Sequence, residues 1–458
     1  MGRKAFQIGF AIFLAGCVLF LALTLLERQT QAQGESILYV APGGDCGGML
    51  PCYAHPQDAV DAAYEGDIIK VAAGTYTGVS ACQGVTQVVY ISKTLTLRGG
   101  YTTTNWTVSD PDSNPTTLDA QGQGRVLYIT GNISPTIEGL RITGGDAEGL
   151  GGDQWEDDAG GGVYIITATA TIRNNQIFSN APPYRGVAYR GGALFLHTSR
   201  ATLTGNTIAS NTAVWGGGLY LYDSGATLTS NTIISNTAKF DGGGLYLYDS
   251  DVTLTGNIVI SNTATAEWGD GGGLCLYDSD AILIGNTIIS NTAAFSGGGL
   301  DLYDSDATLT GNTIASNTAG YGGGLDLYGS DATLTDNTIT SNTATVIGGG
   351  LCLGDDSDAT LTGNTIVSNI AAHNGGGLYL YNSDATLISN TVISNTAKWD
   401  GSGAFLEFGD ARLTSNTVAF NTANRDGGGL YLWYSDATLT NNMVFDNEGN
   451  SADSGLYV

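Results

Sequence analysis

Asp301 and Asp326 occupy the same place in consecutive copies of a repeated unit, where most copies carry an aromatic residue. If the copies stack as neighbouring strands, the two carboxyls fall about 5 Å apart. That spacing suits a retaining-glycosidase pair, a shared proton or a shared cation. Cys275 and Cys352 flank the pair at the equivalent position, and no unrepeated Arg or His accompanies it. A catalytic site needs a local, non-repeated constellation. The pair is therefore read as structural, and no catalytic residue is assigned.

Three other columns could bind rather than react. One is an outward aromatic ladder of Tyr222, Tyr248, Tyr277, Tyr303, Tyr328, Tyr381 and Trp433, interrupted by Gly354 and Glu407. Aromatic rings on a rigid sheet can stack on sugars, and they also stabilise neighbouring strands. A second aromatic series holds Tyr220, Tyr246, Tyr379, Phe405, Tyr431 and Tyr457. The next column is acidic: Asp249 with Asp251, Asp278 with Asp280, Asp304 with Asp306, and Asp356 with Asp358. Asp331, Asp384 and Asp436 continue it. Like charges at that spacing repel, and bound Ca²⁺ or high ionic strength would relieve them. The last column is Thr-x-Thr, as at Thr253/Thr255 and Thr308/Thr310, broken by Ile282/Ile284 and Ile388.

These columns exist because the chain repeats itself. The apolar residue after a glycine run recurs from Leu194 through Leu219, Leu245 and Leu274 to Leu456, with a mean period near 26 residues. Inside a unit the period is two. Leu245-Tyr246-Leu247-Tyr248 reads as a strand with Leu inward and Tyr outward. Asp249-Ser250-Asp251 is a turn. Thr253-Leu254-Thr255 and Ile258-Val259-Ile260 are two more short strands separated by Gly256-Asn257. Three strands and three turns per unit predict one coil of a parallel β-helix. Stacked coils place Asn206, Asn231, Asn257 and their successors in one ladder, and Asn211, Asn236, Asn262 and theirs in another. Such amides satisfy turn hydrogen bonds from coil to coil. The glycine run precedes a strand, not a helix, so it is no nucleotide loop.

The unit resembles the right-handed parallel β-helix repeats of the pectin-lyase-like superfamily, and it is similar to polymorphic outer-membrane-protein repeats. Those pair GGA[ILV] with FxxN. Here the first motif reads GGAL at Gly191–Leu194 and mostly GGGL elsewhere, and the second reads IxSN, as at Ile208–Asn211. The segments Gln57–Ala63, Gly66–Val71 and Gly74–Tyr76 look like the opening of secreted β-helices. The resemblance implies a short N-terminal capping helix followed by the first strand, and a cell-surface role. Lyases of this superfamily use a basic proton abstractor and acidic calcium ligands, and no set of residues matches that pattern. Ala59, Val60 and Ala63 form one apolar stripe, which suits the cap.

The chain has 458 residues, 68 of them glycine, and 43 Asp+Glu against 16 Lys+Arg give a net charge of −27. That balance argues against nucleic acid as a partner. Arg3 and Lys4 precede an apolar run from Ala5 to Leu26, a leader over residues 1–32. Three outcomes stay open: cleavage after Ala32, retention as a membrane anchor, or lipidation at Cys17. All three export the rest. An oxidising compartment permits a disulfide, with Cys46–Cys52 preferred and Cys82 as competing partner. Cys275 and Cys352 are three coils apart, too far to bridge.

The expectation is thus an all-β, right-handed parallel β-helix of about 12–15 coils. Residues 33–124 form the cap and first coils and 125–458 the repeats. Its expected role is non-enzymatic: structural, adhesive or glycan-binding, in the extracellular space or at the cell surface, including the outer membrane. Polysaccharide or envelope components are the expected ligands, no cofactor is required apart from the calcium option, and the coil at Leu456 reads as an uncapped edge, with two alternatives open: a partner chain that covers it, or an incomplete gene product. The alternative is a polysaccharide lyase or glycoside hydrolase with its site in the irregular stretch 144–200. There Asp153, Glu156, Asp157, Asp158, Arg185, His197 and Arg200 follow no repeat. Ice binding through the Thr-x-Thr face is a further alternative.

Overall fold

A computed structural model describes residues 35–82, 84–152, 157–180, 189–450 and 454–458. The leader, Asp153, Glu156 and Arg185 lie outside these residues. The chain winds as a parallel β-solenoid of about 14 turns. Crossovers between parallel strands of this kind are right-handed.

Each coil contributes to one long sheet per face. The Leu-Tyr strands, such as Leu245–Tyr248, build a 15-stranded sheet. The Thr-Leu-Thr strands, such as Val252–Thr255, build one of 16, and the Ile strands, such as Ile258–Ile260, one of 14. Register is strict: Leu245 pairs with Leu274, Leu254 with Leu283 and Val259 with Ile288. A one-residue slip would turn every leucine outward, so burial of the leucine columns fixes that register. The inward columns form one continuous core along the axis, with Leu245, Leu247, Leu254 and Val259 fully buried.

A fourth element goes beyond the three expected strands. Thr-Ala pairs such as Thr263–Ala264 form a 9-stranded sheet. The Thr263 N–H donates to Asn236 O of the preceding coil at 3.0 Å, while Ala264 is buried with Ala293 and Ala319 in a small cluster apart from the axial core. Two-residue strands carry too little periodicity to be read from the sequence.

The asparagine ladders form as expected. Asn257 Nδ2 donates to Leu228 O at 2.9 Å and to Asn286 Oδ1 at 3.0 Å. Its Oδ1 accepts from Asn231 N at 2.9 Å and from Asn231 Nδ2 at 3.0 Å. Every hydrogen-bonding group of the buried amide is thereby used, which is what makes its burial tolerable.

The cap is α1, Pro56–Ala62, with Pro56, Ala59 and Val60 buried against the first coils. It does not precede the first strand. Ile37–Val40 comes earlier, pairing with Ile68–Ala72 on one side and Cys52–Tyr53 on the other. The Cys46–Cys52 disulfide closes the loop between them, and Cys82 is unpaired.

Candidate functional site

The loop from the Thr-Ala strand to the glycine run decides what is accessible. The first glycine of each run turns the chain back over the residue four positions later. Gly242 has φ +66°, and a Cβ there would meet Tyr246 Cβ at 2.6 Å. Only glycine tolerates both that backbone and that approach. The first outward position of the Leu-Tyr sheet is therefore covered: Tyr220, Tyr246, Tyr379 and Phe405 are buried in clusters separate from the axial core.

Asp301 and Asp326 lie in this covered column, in register between Cys275 and Cys352. Loop residues Asp241, Asp270 and Ser296 close on them. Asp270 N donates to Asp241 Oδ1 at 3.1 Å. Ser296 Oγ lies 2.6 Å from Asp301 Oδ1 and 2.8 Å from Asp270 Oδ1. A hydroxyl has one proton, so the second contact needs a proton on a carboxyl. Burial and then the neighbouring Asp270 and Asp326 charges hold the Asp301 pKa well above the carboxylate range. Burial, then Asp270, pushes Asp241 up to about 7. Burial likewise pushes Asp326 up to about 7, and a Cys352 hydrogen bond offsets part of that. Asp326 Oδ1 is buried with no hydrogen-bond partner. Burial thus favours the protonated forms of these carboxyls.

The second outward position is open to solvent. Tyr222, Tyr248, Tyr277, Tyr303 and Tyr328 form one stack, with ring centroids 4.9–5.5 Å apart and planes within 19°. The rings cover one another's faces, so inside the stack only edges and hydroxyls reach solvent. Tyr381 and Trp433 stand apart from it: Gly354 separates Tyr328 from Tyr381, and Glu407 separates Tyr381 from Trp433. At the other end His197 meets Tyr222 edge-on at 5.4 Å.

Beyond the turn, a groove of about 1300 Å³ crosses seven coils along the start of the Thr-Leu-Thr sheet. Thr202, Thr227, Thr253, Thr308 and Thr333 supply hydroxyls, Asp251, Asp280, Asp306 and Asp331 carboxylates, and Arg200 one cation. Each second aspartate of the turns accepts a backbone N–H from the next coil. Asp280 N donates to Asp251 Oδ1 at 3.2 Å and Asp331 N to Asp306 Oδ1 at 2.8 Å. The first aspartates, Asp249, Asp278 and Asp304, hold the left-handed turn at φ +47 to +49°. Asp356 accepts from Asn382 Nδ2 at 2.8 Å, and Asp384 N donates to Asp358 Oδ1 at 2.7 Å. Among the described residues no group of three or more His, Cys, Asp or Glu is placed to hold a metal ion.

In the irregular stretch, Asp158 accepts from Gly149 N and Gly151 N at 2.9 and 2.8 Å, tying the inserted loop to itself. Asp157 pairs with Arg190 at 3.2 Å, and Arg190 lies over Trp215 and Tyr220. Arg125, which sequence reasoning passed over, is fully buried against Tyr164 and donates to Ala159 O and Gly151 O. Its only signal was a cation at the position of a core-side glycine. These groups anchor a loop; they do not converge on a free space with Arg200 or His197.

A family model described as the right-handed beta helix region matches residues 99–288 and 264–369. The chain belongs to this family. A second model, described as periplasmic copper-binding protein (NosD), matches residues 325–458, in agreement with export. Copper sites use imidazole, thiolate and thioether ligands. In that stretch Cys352 is buried beside Asp326, His373 stacks on Trp399, and Met443 is exposed on the Ile sheet. They belong to different faces and do not fit a copper site. No curated protein matches the chain.

Among solved structures, the periplasmic alginate epimerase AlgG is similar at 14% identity and a TM-score of 0.43, over 82% of this chain and 84% of that one. The Azotobacter vinelandii mannuronan C-5 epimerase AlgE6 A-module follows at 12% and 0.31, over 83% and 93%. A mannuronic acid specific family 6 lyase from human gut microbiota stands at 13% and 0.30, over 86% and 82%. These likenesses concern the fold alone. They do not establish enzyme status, and the expectation that the chain is non-enzymatic does not stand as a conclusion from the fold, since these neighbours on it are epimerases and a lyase. The coils are also less uniform than the repeat suggests: Asp301 and Asp326 replace the aromatic residue of their column, and Ser296 Oγ joins Asp301 to Asp270.

Proposed function

We propose that this chain is an exported, cell-surface polysaccharide-binding β-helix whose groove holds a glycan along the solenoid axis. The observation that carries the reading is the groove itself, which repeats one threonine hydroxyl and one aspartate carboxylate on most of its coils. A wall with a fixed repeat suits a polymer with a fixed repeat, and polar groups at regular intervals fix its orientation. Carboxylates dominate the wall, so neutral or amino-sugar polymers are favoured and polyuronates repelled. The test is retention of the purified chain on immobilised neutral, amino-sugar and anionic polysaccharides. Retention on the first two, weakened by Thr253→Trp in the groove wall, is expected. Equal passage through all columns overturns the reading.

A polysaccharide-active enzyme is the second reading, and the pairing of Asp301 with Asp326 in adjacent coils beside Ser296 and Asp270 favours it, since two close carboxyls whose pKa values burial raises can share a proton for general-acid work. Shortened glycan chains after incubation with wild type, and intact chains with Asp301→Asn, are the result this reading requires.

A further inference from the structure

The tyrosine column is interrupted at Gly354 and at Glu407, and only at Gly354 is the side chain missing altogether. In the strand Leu351–Gly354, Gly354 stands in register with Tyr328. The glycines just before it are needed where they are: a Cβ at Gly349 would meet Gly376 O at 2.4 Å, and one at Gly348 would meet Cys352 Cβ at 2.7 Å. Gly354 differs. A Cβ there would meet only Leu327 O, at 3.9 Å, which is ordinary contact. A tyrosine fits this backbone position in the coils on either side, at Tyr328 and Tyr381.

We infer that Gly354 opens a one-ring slot between Tyr328 and Tyr381 that takes an amino-sugar ring of the bound polysaccharide. The inference rests on the polysaccharide-binding reading and assigns it a subsite. With one ring missing, the flanking rings stand two coil rises apart, about 10 Å. Neighbouring rings within the stack are 4.9–5.5 Å apart, so the slot has the thickness of the ring that is absent. On its far side Tyr381 meets Phe408 edge-on at 5.9 Å, which leaves the slot side to a ligand.

The rim sets the chemistry. The coil at Gly354 carries an extra acidic residue, so Asp355 and Asp356 follow in succession, both exposed and both at positive φ. Asp355 lies against the Tyr328 hydroxyl, where its charge and hydrogen bond raise the tyrosine pKa. Asp356 is steadied by Asn382. A pyranose presents apolar C–H faces to the two rings, and a protonated amine on it reaches the carboxylates with cation–π support. A uronate would meet two like charges there.

The test is calorimetric titration of the full chain with a glucosamine hexamer, a glucose hexamer and a galacturonate hexamer. Gly354→Tyr completes the stack and closes the slot; its melting temperature and circular dichroism confirm folding. Expected are binding of the glucosamine hexamer by wild type, a loss of at least about tenfold in affinity in Gly354→Tyr, and a similar loss in Asp355→Asn for the glucosamine hexamer alone. Unchanged affinity in folded Gly354→Tyr overturns the slot and leaves the groove standing. Absence of glucosamine-hexamer binding by wild type also overturns the slot, and retention on the polysaccharide columns then decides the groove separately.

Discussion

Replacing Asp326 by Asn should stabilise the protein at alkaline pH and leave it unchanged at acid pH. The Asp326 carboxyl is raised from 3.8 to about 7, chiefly by burial, so the folded chain holds a proton that the unfolded chain has released. For a carboxyl raised in this way the folded state binds more protons between the two values. Stability therefore falls as pH climbs through that window and levels off above about 7. Each pKa unit is worth about 1.4 kcal/mol, which puts the full loss at up to about 4 kcal/mol. About 3 kcal/mol of it lies between pH 5 and pH 8. Asn has the same shape, carries no charge and keeps an acceptor for the Cys352 thiol. Other acidic groups on a chain of net charge −27 also lower stability as pH rises. The decisive quantity is therefore the difference between wild type and variant at each pH, read from guanidinium unfolding midpoints. The variant should gain about 2–4 kcal/mol over wild type at pH 8 and almost nothing near pH 4. Asp301 and Asp270 titrate beside Asp326, so the gains of double variants should fall short of additive. A variant less stable than wild type at pH 8, or a gain that does not change with pH, would refute the reasoning.

Two further expectations concern the scaffold. Asn257→Ala removes four hydrogen bonds and strands two buried partners in neighbouring coils, so it should cost about 3–5 kcal/mol in chemical denaturation; a loss below 1 kcal/mol would show that the ladder is dispensable. Gly243→Ala would bring a Cβ to 2.4 Å from Gly272 O and 2.6 Å from Thr263 N, whereas Gly354→Ala meets nothing closer than 3.9 Å. The first should unfold at a melting temperature many degrees lower and the second should match wild type; equal melting temperatures would contradict the packing of the glycine runs.

The repeated sequence carried the coil almost by itself. Alternation at Leu245-Tyr246-Leu247-Tyr248 settled which side chains face the axis, and recurrence of Asn231, Asn257 and Asn286 at the same place in each unit settled that their amides meet. Both follow from a strand period of two and from the same short strand–turn pattern in every unit, which are local properties of the chain. What covers the outside is not periodic. The loops before each glycine run differ in length and composition, and only their path back over the sheet buries Tyr246, raises the pKa of Asp301 and joins Ser296 and Asp270 to it. The same holds for the tyrosine column: outward placement was legible, but ring faces closed by their neighbours, and one gap left open at Gly354, arise only when consecutive coils are stacked. Direction of a side chain is set along the strand; its exposure is set by residues distant in sequence, and tertiary structure alone brings those together.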